Sequence, residues 1–163
     1  MVLRFTKDLQ TKLGLRKLDA ADSQFEEWVC RLFRVERKQF ILITHATSLY
    51  TLIVPGAGIT NVTSFMRAFE DNRDSQLEAE GLKVWFDLRC RNEAQTVSLS
   101  NTVDRRLTGS MNDMVRMLSF GEGDSISIIE MANSINETPF SQIDMDGPRM
   151  RLKKMIEPGL RLL

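Results

Sequence analysis

Residues 39–55 read QFILITHATSLYTLIVP, and the fold turns on how that stretch is taken. From Gln39 to Met66 there is no Asp, Glu, Lys or Arg, which invites a membrane-spanning helix. Thr44, His45, Thr47, Ser48, Thr51, Pro55, Gly56, Gly58, Thr60 and Asn61 interrupt it too often, because a spanning helix needs about 20 consecutive, mostly apolar residues. Two strands fit better. QFILIT (39–44) and LYTLIVP (49–55) are rich in β-branched and aromatic residues, and HATS (45–48) joins them as a hairpin. Strands with no charge belong in the middle of a sheet, where both faces are covered.

Outward from the hairpin, VLRF (2–5) reads as a strand and Lys7 to Lys12 as a short helix that Gly14 ends, with a loop from Gly14 to Asp22. Ser23-Gln24-Phe25-Glu26 fits a capping box. Phe25, Trp28, Val29 and Leu32 follow at helical spacing, predicting a short helix that gives way to a strand near Arg31 to Val35. Asn61 caps a helix with the stripe Val62, Phe65, Met66 and Phe69, stopped by Gly81. LKVWFDLRC (82–90) fits both periods: Leu82, Val84, Phe86, Leu88 and Cys90 alternate, while Leu82, Trp85, Phe86 and Arg89 make a helical turn. The strand is the preferred reading. TVSLSN (96–101) is a further strand, and two helices follow, Ser110 to about Phe120 with Gly121 as stop, and Ser125 to about Asn136 before Pro139. The expected class is α+β, a mainly antiparallel sheet with a central hairpin and helices packed against it.

At 163 residues the chain fits one domain. Its 42% hydrophobic and 27% charged content is ordinary for a soluble protein, and 22 basic residues cancel 22 acidic ones. No global field therefore attracts nucleic acid or anionic membrane, and the opening MVLRFTKDLQ carries charges where a signal peptide needs apolar residues. Cys30 and Cys90 form neither a disulfide framework nor a C-x-x-C metal pair, so a reducing cytoplasmic setting is expected. The one histidine, His45, reads as a turn residue with no marked nucleophile beside it. DMDG (144–147) resembles part of a calcium loop, but the twelfth position falls on Lys153, where a Glu is needed. No glycine-rich nucleotide loop is present, and no cofactor or metal is expected. The methionines Met66, Met111, Met114 and Met131 fall on core stripes.

GSMND (109–113) has two readings. With Ser110 at the N-cap, Asp113 stands at N3 and completes a capping box, while Met111, Met114, Val115 and Leu118 share a face. Alternatively, Arg105 and Arg106 together with the helix N-terminus form an anion site that includes Ser110, Asn112 and Asp113. The Asp113 carboxylate opposes an anion there, which favours the cap. Asn112 is left without a role by capping.

SNTVDRRLTGSMND (100–113) resembles the hallmark segment of an uncharacterised bacterial family, a domain of unknown function. RFTKDLQTKL (4–13), the run from WVCRLFRVERKQFILIT to LIVPG, and INETP (135–139) are similar to three further segments of that family. The resemblance covers about residues 4–140 and departs at THATS (44–48), where relatives look more like Thr-Asn-Glu-Arg-Thr. It implies a shared fold and a bacterial, phage or mobile-element origin, and implies no activity.

The domain is expected over residues 1–140, followed by a basic C-terminal tail, 141–163. Arg149, Arg151, Lys153, Lys154 and Arg161 there face the single acid Glu157 in GPRMRLKKMIEPGLRLL, with Pro148 starting a short helix and Pro158 ending it. Leu152, Met155 and Ile156 allow that helix to dock instead. The expected function is a non-catalytic interaction module that binds a protein or nucleic-acid partner through Arg105, Arg106 and the tail, without a membrane. The alternative is an enzyme acting on a phosphorylated substrate at Arg105, Arg106, Ser110, Asn112 and Asp113.

Overall fold

The computed structural model describes residues 1–93, 96–102, 104–120 and 127–157. Its strands are β1 (Val2–Phe5), β2 (Glu27–Val35), β3 (Lys38–His45), β4 (Thr51–Pro55) and β5 (Ser98–Asn101), joined in one sheet of order β4-β3-β2-β1-β5. The helices are α1 (Lys7–Lys12), α2 (Val62–Ala79), α3 (Lys83–Cys90), α4 (Arg105–Ser119), α5 (Ile128–Glu137) and α6 (Pro148–Ile156). The class is α+β, as the sequence predicts. The sheet, however, is mixed: β2, β3 and β4 run antiparallel, while β1 lies parallel to both β2 and β5. The segment through α1 is long enough to carry the chain back over the sheet, which a parallel pairing requires.

Alternation along the central strands feeds two cores. Trp28, Cys30, Ile41, Ile43, Leu52 and Val54 bury against α1, α2, α3 and α6. Val29, Phe33, Phe40, Leu42 and Ile53 bury against α4, α5 and the 3-10 turn Ser141–Ile143. This two-sided burial corrects the helix expected from Ser23. Glu27–Val35 pairs along its length with β3. With apolar side chains on both faces, Phe25, Trp28, Val29 and Leu32 only mimic a helical stripe.

LKVWFDLRC is a helix rather than the expected strand. Leu82 and Phe86 are buried four residues apart, while Val84 and Leu88 are exposed. An alternating strand would have put all four on one face. The cap of α2 is as expected: Asn61 accepts from the Ser64 N–H at 2.9 Å, and Gly81, at φ +70°, turns the chain out of the helix. Ser127 caps α5 and accepts from the Glu130 N–H. The expected start at Ser125 and stop at Gly121 lie outside the described residues, as do Pro158 and Arg161.

Asn136, within INETP, is fully buried and grips one residue of β4. Its Oδ1 accepts from the Thr51 N–H, and its Nδ2 donates to the Thr51 carbonyl, each at 2.8 Å. Packing does not stop at residue 140. Leu152 and Ile156 of α6 are buried in the same core as Trp28 and Phe86. Leu152→Ala should lower stability by about 2–5 kcal/mol, the range for emptying a well-packed leucine site. Denaturant melts measure it; an unchanged midpoint would show that α6 contributes nothing to the core.

Candidate functional site

Ser110 is not an N-cap. Helix α4 starts at Arg105, where the Asp104 carboxylate accepts from the Arg106 and Leu107 N–H groups at 2.8 and 3.2 Å. Leu107, Met111, Met114 and Leu118 form its buried stripe. A helix begun at Ser110 would lose Leu107 from that stripe, so the chain starts earlier, at the next good capping side chain. GSMND therefore sits inside the helix, and its side chains go different ways. The Ser110 hydroxyl donates to Gln142, Met111 enters the core, and Asn112 accepts from Arg31 of β2. Asp113 reaches forward to Arg116 at 3.5 Å rather than back to Ser110. Arg105 and Arg106 are exposed on the first turn and have no ion pair among the described residues. The contact to Arg31 supplies the role that Asn112 lacked.

The basic residues of α6 are partnered. Arg149 bridges Glu80 and Glu137 at 3.1 and 2.8 Å, and also donates to Asn133. Arg151 faces Asp144 and Asp146, Lys154 lies 2.9 Å from Asp146, and Lys153 is 3.9 Å from Glu157. These acids, Glu80 from far along the chain and Asp144 and Asp146 from just before the helix, offset the charge that the segment shows when read alone. Arg149, Arg151, Lys153 and Lys154 pair with acids on or near α6, α5 and the end of α2, while Arg105 and Arg106 stand on α4, so the expected residues form two separate groups.

His45 ends β3 instead of standing in a turn, and it is fully buried. Its Nε2 lies 2.7 Å from the Phe25 carbonyl, which assigns the proton there. Nδ1 then accepts from the Ser48 hydroxyl at 2.9 Å. Burial among Phe25, Trp28 and Phe86 lowers its pKa to about 4. Burial also raises both thiols, Cys90 to about 12, so neither is a ready nucleophile. Among the described residues no group of three or more His, Cys, Asp or Glu side chains is placed to hold a metal. No helix there is long and apolar enough to cross a membrane.

A surface the sequence reading missed lies on α3. Val84 is 67% exposed, Trp85 39% and Leu88 42%, and Val97, just before β5, is exposed beside them. Val84, Leu88 and Val97 line a groove of about 800 Å³ together with Glu26, Glu70, Asp87 and Glu93. Arg91 is the one cationic side chain in its described wall, beside the N-terminal Met1. The Glu26 carboxyl is raised by burial even though Arg73 stands 2.6 Å away. Glu93 is held by the N–H groups of Phe25 and Glu26 at 2.7 and 3.0 Å. The strand reading hid this face, because it assigned Val84 and Leu88 to the same side as Phe86. Helical spacing puts them away from it.

Two outcomes test this geometry. Asp104→Ala should cost about 1 kcal/mol, the usual value of a lost cap, by chemical denaturation. His45 gives a pH dependence: it titrates near 6.5 when unfolded and near 4 in the fold. Between those values the unfolded chain binds more protons, so stability is complete above pH 6.5 and is lost as pH falls towards 4. The loss should be on the order of 3 kcal/mol and should shrink in His45→Gln; equal pH slopes for the two proteins would contradict it.

Residues 2–150 match DUF6933, Domain of unknown function, and the chain belongs to that family. No curated protein matches it.

Proposed function

We propose that this member of DUF6933 is a non-catalytic interaction module whose partner is a protein, held at the α3 face by a basic, amphipathic segment. One observation carries the reading: apolar side chains on α3 stand exposed around a groove whose charged side chains are four carboxylates and one arginine. A large exposed apolar surface is costly in water unless something covers it, and a tryptophan beside two aliphatic side chains is a common anchor. The acids select the partner's sign. Glu26, Asp87 and Glu93 already face Arg73, Lys83 and Arg89, so Glu70, with no ion pair among the described residues, is the acid best placed to favour Lys or Arg on a partner. Val84 and Leu88, one helical turn apart, suit a partner helix with apolar residues at the same spacing.

Two further points weigh on the same side. The side chains needed for phosphoryl chemistry at GSMND do not converge: Ser110, Asn112 and Asp113 each engage a different neighbour. The α6 cations already face carboxylates, so a nucleic-acid backbone would have to displace acids to reach them.

Quantitative pull-downs from the native host should recover a partner with wild-type protein and lose it with Leu88→Asp and Trp85→Ala. Glu70→Lys should weaken the same partner and flatten the loss at high salt, because one attractive charge pair is removed. Equal recovery by Leu88→Asp, with loss in Arg105→Glu/Arg106→Glu instead, would move the interface to the start of α4.

A further inference from the structure

A second cleft, of about 690 Å³, opens where β3 begins and β4 ends, and its chemistry is the reverse of the α3 groove. Lys12, Arg37, Lys38 and Gln39 line it with the loop Pro55–Gly58, and among the described residues no carboxylate does. The start of α5 forms part of the wall, but its N-terminus is closed by the Ser127–Glu130 capping box and is not needed here. Arg37 and Lys38 have no ion pair among the described residues. Lys12 Nζ gives one N–H to Gln39 Oε1 at 2.7 Å, and an ammonium has two more. The Gln39 amide nitrogen and the main-chain N–H groups of Ala57 and Gly58 make no hydrogen bond among the described residues.

The donors are held in place through Gln39. Its carbonyl accepts from the Gly56 N–H at 2.7 Å, and its side chain holds Lys12. A Cβ at Gly56 would sit 3.0 Å from that carbonyl, and Gly58 has φ +78°, so glycine permits both the close approach and the turn. Strand β3, the loop and α1 are thus tied around the cleft before any ligand arrives.

We propose that this cleft binds a small phosphorylated molecule, its phosphoryl group held by Lys12, Arg37, Lys38 and the Ala57–Gly58 amides. A dianionic phosphoryl group offers three acceptor oxygens and takes both ammonium and main-chain donors. The concave shape favours a small solute over a duplex, whose phosphates lie on a convex surface. The cleft is separate from the α3 face and does not depend on the protein partner.

The test is a titration of ¹⁵N-labelled protein with sodium pyrophosphate, followed by amide shifts. Saturable shifts are expected at Lys38, Ala57 and Gly58. Affinity should fall by at least about tenfold in Arg37→Glu/Lys38→Glu, the value of a lost charge-assisted pair. Both side chains are exposed, so that variant should melt like wild type; Lys12→Met is the second variant and should weaken binding as well. Arg105→Glu/Arg106→Glu should bind pyrophosphate unchanged. Shifts centred on Arg105 and Arg106, or undiminished affinity in Arg37→Glu/Lys38→Glu, overturn the proposal. So does a single-stranded oligonucleotide that shifts these amides where pyrophosphate does not, which assigns the cleft to nucleic acid.

Discussion

Strands β2 and β3 carry apolar side chains on both faces, and water must be excluded from each face separately. That requirement dictates the layering. Leucine, isoleucine and aromatic residues of α1, α2, α3 and α6 cover one side, and leucine, methionine and isoleucine residues of α4 and α5 the other. Covering both sides draws in even the last helix, through Leu152 and Ile156. Away from the hairpin, β1 is still buried but carries one charged residue. Arg4 of β1 is buried, with Glu27 at 2.6 Å, Ser100 at 3.3 Å and the Ala21 carbonyl at 2.9 Å. A buried guanidinium is tolerable only when its donors are met in this way. The loop that brings the Ala21 carbonyl to Arg4 therefore completes the cover over β1.

How much of this could be read from the residues depended on period. The hairpin was legible because β-branched runs without charge have few other uses. The capping residue of α2, Asn61, was legible because its hydrogen bond is local. The stretch from Ser23 was not. A strand buried on both sides has no empty face, so its apolar residues satisfy a helical template as readily as an extended one. LKVWFDLRC failed the opposite way: an exposed helix that keeps Val84, Trp85 and Leu88 in water imitates alternation. The parallel pairing of β1 was hidden for another reason. Pairing direction is set by the route of the connection, which composition does not encode.

The site residues divide along the same line. Arg105, Arg106 and the GSMND residues were grouped because they are neighbours in sequence, yet a helix turns neighbours to different sides. Asn112 belongs to Arg31, and Ser110 to Gln142, across spans no local motif reveals. Arg149 looked unopposed for a similar reason: Glu80 follows α2 and Glu137 ends α5. Conversely, the donors around Gln39 come from three segments, each unremarkable alone.

The grip of Asn136 on Thr51 has a consequence for how the molecule behaves in a crowd. Strand β4 is the outermost strand on its side of the sheet. The bonds from Gly56 to Gln39 and from His45 to Tyr50 bracket its ladder with β3, so by alternation Thr51, Ile53 and Pro55 turn their main-chain groups away from β3. A bare outer margin of this kind is a template on which another chain's strand can add, the usual first step of aggregation. Here the amide of Asn136 imitates that incoming strand and occupies both groups of Thr51. Pro55, at the far end, has no N–H to offer. Ile53 is left alone between them, and one residue is too short a margin for a foreign strand to join.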